Sequence, residues 1–240
     1  MKMKKAIIIG ASSGIGAEMA TQLSRKGYQL GLMARRENLL EDLVSNLEGE
    51  HQVMPIDLKN FEEAEQQMNQ MIALLDDVDL IVLNSGVGAQ EYQLDWIYQK
   101  QLIDVNVSGL VLMSTISMDY FVKRGRGHIV GVSSIAAHVS SGLALTYCAS
   151  KAFVSSYLNG LRSRVRNSKL PIIITTIEPG YVDTPMVKGS PPWTAPVDKA
   201  VRQMIAGIEN KRQHIFITRR YRLVVWMLKL IPNWVIRRYV

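Results

Sequence analysis

Five residues, Lys5-Ala6-Ile7-Ile8-Ile9, read as a short buried strand, and the glycine that ends them opens the segment Gly10-Ala11-Ser12-Ser13-Gly14-Ile15-Gly16. A helical pattern begins directly behind it, over residues 17–26. Few patterns limit a fold as tightly as a strand that passes through a glycine-rich turn into a helix. Glycine lets the backbone turn sharply and approach a ligand closely, while the helix N-terminus offers free N–H groups and a positive dipole end. Together they suit a phosphate, with Gly10, Ser12, Ser13, Gly14, Ile15 and Gly16 as the residues around it.

The rest of the chain repeats the strand-then-helix order. Apolar runs at residues 29–33, 51–56, 79–83, 127–133, 171–177 and 214–218 read as six further strands. Helical patterns lie between them, at 60–75, 95–123, 147–166 and 197–209, with another after Arg36; Met68, Met71 and Leu75 are expected in the core. This alternation predicts an α/β fold: a Rossmann-like, doubly wound parallel sheet of seven strands in a single domain, with ligands at the C-terminal strand ends. The 240 residues are enough for one core, and no internal repeat or low-complexity linker divides them. The apolar run after Met-Lys-Met-Lys-Lys stops at Gly10, too soon for a signal peptide, so it is read as the first strand. One cysteine, Cys148, excludes an internal disulfide and suits a reducing, cytoplasmic setting.

Charge is placed unevenly. Eight of the 28 lysines and arginines lie from Lys211 onward, where there is no acid, so the net +7 is a property of the C-terminus and the body is nearly neutral. That argues against a nucleic-acid-binding surface on the body. The expected organisation is residues 1–218 as the catalytic and nucleotide-binding body and 219–240 as a basic, amphipathic tail. In the tail, residues 223–228 are apolar between Arg222 and Lys229, and Pro232 interrupts the pattern. A spanning helix needs about 20 apolar residues, so this is not one. With Trp226 and Trp234 it has the make-up of a segment lying in an anionic membrane interface, of a cap over a cleft, or of a subunit contact.

The chemistry-bearing stretch is Tyr147-Cys148-Ala149-Ser150-Lys151, with Ser134 thirteen residues before the tyrosine. Residues four apart share a helix face, so Tyr147 and Lys151 can point into one cleft. A phenol titrates near pH 10, and a nearby ammonium favours its phenolate. Tyr147 is therefore expected to donate and accept protons close to neutral pH, and a serine hydroxyl beside it would bind a carbonyl or alcohol oxygen. Ser133 rivals Ser134 for that place. Asn106 is awkward inside the helical stretch 95–123, where it would bend the helix or turn its amide into a site. The second strand ends in Ala34-Arg35-Arg36, without the acid that binds a ribose 2′-OH and with the arginines that accommodate a 2′-phosphate, favouring NADP over NAD. Residues 183–196, rich in Pro and Gly and carrying Trp193, make a loop of the length often used as a lid. His128 and His138 lack metal-ligand spacing, and no metal is expected. Cys148 reads as a small packed side chain.

Gly10-Ala11-Ser12-Ser13-Gly14 also satisfies Gly-x-Ser-x-Gly, the nucleophile elbow of an α/β-hydrolase. Here it follows the first strand, no His-Gly-Gly oxyanion segment accompanies it, and Tyr147 and Lys151 are left without a role. Ser12→Ala would abolish a hydrolase but only weaken cofactor binding otherwise. A cofactor-sensing protein without turnover is the non-catalytic alternative, and the intact Tyr147 and Lys151 speak against it.

These motifs, in this order, resemble those of the classical short-chain dehydrogenase/reductase family from about Lys5 to Thr218. The family's Thr-Gly-x-x-x-Gly-x-Gly is matched by residues 9–16, its Asn-Asn-Ala-Gly by Leu83-Asn84-Ser85-Gly86, and its Pro-Gly turn by Pro179-Gly180-Tyr181-Val182-Asp183-Thr184. Ile9 and Leu83 depart from the pattern by removing polar groups that tie neighbouring strands, and Ser85 replaces an alanine. The resemblance implies a catalytic set of Asn106, Ser134, Tyr147 and Lys151, and hydride transfer between nicotinamide C4 and the carbon of a small carbonyl or alcohol substrate. Tyr147 would protonate the alkoxide, Ser134 would donate to the oxyanion, and Lys151 would lower the tyrosine pKa and bind the nicotinamide ribose. Asn106 would hold a water in a relay from Lys151. It further implies Asp57 and Leu58 beside the adenine, Arg35 and Arg36 at the 2′-phosphate, Thr184 at the carboxamide, NADP(H) with NAD(H) as the alternative, and a homodimer or homotetramer.

Overall fold

The computed structural model describes residues 3–88, 93–187, 189 and 191–230, with side chains as far as Met227 in the last helix. Seven strands, β1 (Lys5–Ile9), β2 (Gln29–Ala34), β3 (Gln52–Pro55), β4 (Leu80–Leu83), β5 (Gly127–Val132), β6 (Ile172–Pro179) and β7 (His214–Ile217), form one sheet in the order β3-β2-β1-β4-β5-β6-β7. Every pairing is parallel. The helices are α1 (Gly14–Ser24), α2 (Glu37–Ser45), α3 (Phe61–Leu75), α4 (Trp96–Ile103), α5 (Gly109–Arg124), α6 (Leu145–Ser168), α7 (Val197–Glu209) and α8 (Tyr221–Leu230). The order reverses between β1 and β4, so the crevice beyond their C-terminal ends is where such a sheet receives ligands.

Alternation along the strands builds two cores. In β1, Ile7 and Ile9 enter the layer under α3, α5 and α6, while Ala6 and Ile8 enter the layer under α1 and α7. Helix α3 shows the matching helical period, burying Ala64, Met68, Met71, Ile72 and Leu75. Gly31 in β2 makes room for it: a Cβ there would lie 2.6 Å from Met71 Sδ. The departures Ile9 and Leu83 are paired with each other in the β1–β4 register and are both buried, so apolar packing stands where polar ties were expected.

Several boundaries differ from the sequence reading. Helix α1 starts at Gly14 rather than residue 17, so two glycines of the turn belong to its first turn. The helical stretch 95–123 is interrupted: α4 passes into a π-helical turn, Asp104–Ser108, before α5 resumes. Strand β6 continues through Glu178 and Pro179, because Glu178 and Pro179 still pair with Phe216 and Ile217 of β7. The tail begins with a docked helix whose Tyr221 and Val225 are buried; Pro232, Trp234, Arg237 and Arg238 lie outside the described residues.

Candidate active site

The glycine turn is shaped by close approach. Gly10 has φ +85°, and a Cβ on it would come within 2.9 Å of Ser85 backbone and side-chain atoms. A Cβ on Gly16 would overlap the Gly10 carbonyl, to which Asn84 Nδ2 donates at 2.9 Å. Asn84 thus ties the end of β4 to the turn. At the start of α1, Ser13 provides no side-chain cap and the first turn carries no acid. Its N–H groups and dipole are left facing the crevice. Arg36 reaches back from the end of β2, donating to Ser12 Oγ at 3.0 Å and Ser13 Oγ at 2.9 Å, while Arg35 is exposed beside it. Thr184 stands over the other side, 3.2 Å from where a Gly14 Cβ would be. Asp57 turns to Lys59, accepting from its N–H at 3.1 Å, and the Leu58 side chain packs into the core against Gly109.

Tyr147, Lys151 and Ser134 converge beyond β4 and β5. Lys151 is 5% exposed, and its ammonium donates to the Val132 carbonyl at 3.1 Å. A Cβ on Gly86 would lie 3.2 Å from Lys151 Nζ and 3.5 Å from Asn106 Oδ1, and one on Gly88 would overlap the Tyr147 ring. Ser134 lies close enough to the Tyr147 phenol to favour its ionised form, and its own hydroxyl donates to the Pro179 carbonyl at 3.3 Å. Ser133, its rival in sequence, is buried, and its hydroxyl donates to the Lys151 carbonyl at 2.8 Å.

The π turn accounts for Asn106. An extra residue in the helix swings its amide inward, where Nδ2 donates to the Val87 carbonyl at 2.8 Å and to Ser150 Oγ at 3.1 Å, and Oδ1 accepts from Val87 N–H at 2.8 Å. The irregular helix occurs, and the amide is turned inward to Val87 and Ser150 rather than to solvent. Ser150 was missed by sequence reasoning, although it lies within the Tyr147–Lys151 stretch. It links that helix to Asn106, and its hydroxyl also donates to the Tyr147 carbonyl at 2.8 Å.

The expected electrostatics need correction. Burial pushes the Tyr147 phenol above its ordinary value, outweighing the opposing hydrogen bond from Ser134. Burial pushes Lys151 down, to about 8. The reason is placement: Lys151 Nζ sits 5.7 Å from the centre of the tyrosine ring and is turned to backbone, not to the phenol oxygen.

The C-terminal turn and tail close one wall. Gly180 faces the Tyr221 ring so closely that any Cβ would overlap it, and Val182 is buried and bridged to Ala195. Trp193 is an anchor for its loop: its carbonyl accepts from Arg220 at 2.6 Å, and its ring meets Tyr221 edge-on. A cavity of about 560 Å³ lies apart from the convergent residues, lined by Lys199, Gln203, Arg219 and Arg220 among others, and includes none of the site residues above. Among the described residues no group of three or more His, Cys, Asp or Glu side chains could hold a metal.

The arrangement fits a dinucleotide: an uncapped helix end behind a glycine cradle for phosphates, and a serine, phenol and ammonium where a reacting ring would lie. A family model described as short chain dehydrogenase matches residues 4–195. The Homo sapiens protein named dehydrogenase/reductase SDR family member 7 is 30% identical, over 95% of this chain and 74% of its own length. A short chain dehydrogenase/reductase from Burkholderia phymatum in complex with NAD has a TM-score of 0.85 at 20% identity, over 93% of this chain and 92% of that one. One from Burkholderia cenocepacia in complex with NADP has a TM-score of 0.84 at 22% identity, over 100% and 98%. At those identities the two structures establish likeness of fold.

Proposed function

The chain belongs to the short chain dehydrogenase family of oxidoreductases, and on that premise we propose that it interconverts a ketone or aldehyde and the corresponding alcohol, with NADP(H) preferred. The observation that carries the reading is the convergence of Ser134, Tyr147 and Lys151 beyond the C-terminal ends of β4 and β5, next to the switch point of the sheet. When bound, the nicotinamide cofactor supplies or accepts the hydride. Tyr147 gives its proton to the developing alkoxide in reduction and takes it back in oxidation. Ser134, within reach of the phenol, donates to the same oxygen and holds it in place as charge grows. Lys151 binds the ribose hydroxyls of the cofactor. Asn106 keeps the 86–88 segment and α6 in register through Val87 and Ser150.

Arg36, with Arg35 beside it and no acid at Ala34, supports the NADP(H) preference. The test is oxidation of NADPH against a panel of ketones and aldehydes. Tyr147→Phe is expected to lower kcat by about 100- to 10,000-fold; full activity in that variant would end the proposal. Run with NADH as well, the assay should show Arg36→Ala losing most of its preference for NADPH while turnover with NADH persists.

Two statements about partners belong to the same reading. The protein assembles as a homodimer or homotetramer, which light scattering would check. It is cytoplasmic, and α8 touches anionic membrane surfaces, turning Leu223, Trp226 and Met227 outward beside Arg219, Arg220 and Arg222. Absence of co-sedimentation with vesicles rich in anionic lipid would rule the contact out.

A further inference from the structure

Glu178 is fully buried, at the C-terminal end of β6, in a strand that is otherwise Ile, Thr and Pro. A buried carboxylate is tolerated only where donors surround it. Here they come from three directions. His138 Nε2 lies 2.6 Å and His214 Nε2 3.0 Å from Glu178 Oε2, and the Ser155 hydroxyl donates to Oε1 at 2.6 Å. Burial works against the charge, yet these hydrogen bonds outweigh it and hold the carboxyl down at about 2. Because the group is ionised, both imidazoles present Nε2–H to it. Phe216 steadies them, stacked on His214 with centres 4.5 Å apart and 6.3 Å from His138. Arg162 of α6 adds a favourable charge interaction from the same helix as Ser155.

What these donors are attached to gives the cluster its meaning. His138 closes the 3-10 turn Ile135–His138, which Ser134 begins as its N-cap by accepting from Ala136 N–H at 3.1 Å. Ser155 lies one helical turn beyond Lys151, and its hydroxyl is 2.8 Å from that of Ser133, which donates to the Lys151 carbonyl. Glu178 itself precedes Pro179, whose carbonyl receives the Ser134 hydroxyl. His214 differs, since β7 carries none of the site residues.

We propose that Glu178 is a positioning residue, a buried carboxylate that clamps the Ser134 turn, through His138, onto the helix that carries Tyr147 and Lys151. This rests on the reading of Ser134, Tyr147 and Lys151 as the reacting set. Loss of the clamp lets Ser134 drift from the phenol while the cofactor cradle, built on β1 and α1, stays as it is. A displacement of about 1 Å is enough to lower a rate about 100-fold.

The experiment compares Glu178→Gln, His138→Asn and His214→Asn in the full chain, measuring kcat, KM for NADPH, thermal midpoint and tyrosinate absorbance. Glu178→Gln and His138→Asn should each lower kcat about 10- to 100-fold with KM for NADPH within about two-fold. The double variant should be no worse than the poorer single one. His214→Asn should lower the thermal midpoint without lowering kcat more than about two-fold, a split that a purely structural cluster would not give. In cofactor-free protein, the Tyr147 contribution to tyrosinate absorbance, isolated by subtracting the Tyr147→Phe counterpart, should move to higher pH in Glu178→Gln. That readout does not depend on turnover, so it separates failure of the clamp from failure of the proposed reaction. Wild-type kcat in folded Glu178→Gln, equal losses in His138→Asn and His214→Asn, or an unmoved tyrosine titration would overturn the proposal.

Discussion

Arg124 and Lys151 are both largely buried cations, held at opposite ends of one sheet. Arg124 closes the N-terminal end: its Nε donates to Asp77 Oδ1 at 2.6 Å, and Nη2 to Asp79 Oδ1 at 2.7 Å and the Asp77 carbonyl at 3.1 Å. Asp79 in turn accepts from the backbone N–H of Lys5. His128, at the same end, is paired with Thr175 and pushed down to about 4, chiefly by burial and also by Lys211, so it stays neutral. At the C-terminal end, the ammonium of Lys151 meets a backbone carbonyl, with no carboxylate bonded to it among the described residues. A buried cation among carboxylates serves the fold. One set against a carbonyl, in a crevice lined by glycines, is costly to the fold and available to a ligand.

Lys151→Met offers the largest effect that would break this contrast. Turnover should fall about 1,000-fold, within the range for a disabled acid–base group. Stability measured by denaturant unfolding should hold or rise, because an unpaired buried charge gives way to an apolar chain of similar length. A destabilised variant would mean the ammonium contributes to the fold as Arg124 does.

The pH dependence should part the two ends next. His128 has a folded pKa of about 4 against an ordinary 6.5, so the unfolded chain binds more protons between those values and stability falls as pH drops through that window. The loss amounts to about 3 kcal/mol. Glu178, held at about 2 against 4.5, adds a further loss below pH 4.5. Lys151 acts with the same sign but in an alkaline window: shed near pH 8 in the fold and near 10.5 when unfolded, its proton makes stability rise with pH between those values. Activity should fall over that same alkaline range as the ammonium is lost. Parallel profiles of unfolding free energy and kcat/KM would reveal the divergence, and a parallel decline of both would erase it.

Arg124→Met should give the smallest effect, sharpening the comparison from the other side. Loss of its charged hydrogen bonds should cost about 2 kcal/mol, with kcat within about two-fold of wild type. A large drop in kcat would mean the two ends are coupled through the sheet.

Much of this was legible in sequence because it depends on local pattern. Strand β1 and the turn after it announced themselves through five residues and three glycines, and the seven-strand parallel sheet followed from the alternation. Asn106 signalled a disturbance because an asparagine inside an apolar helix conflicts with its surroundings; the π turn that resolves it required Val87 and Ser150 to be in place. The direction of the Tyr147 shift was misjudged for a related reason. Sequence spacing puts lysine and tyrosine on one helix face, but burial and the direction of the ammonium depend on β5 and the 86–88 segment. Glu178 gave a signal, an acid in an apolar strand, that could have been taken up. Its partners His138, His214 and Ser155 lie 40, 36 and 23 residues away, where no local pattern reaches.

By itself, then, the sequence determined the order of strands and helices, the glycine cradle and the residue types available for acid–base chemistry, because periodicity and backbone preference act over a few residues. Only the tertiary structure decided how burial shifts Tyr147 and Lys151, and that one buried carboxylate joins the segments around them. Those outcomes depend on which groups lose water together, and desolvation is a property of the packed assembly.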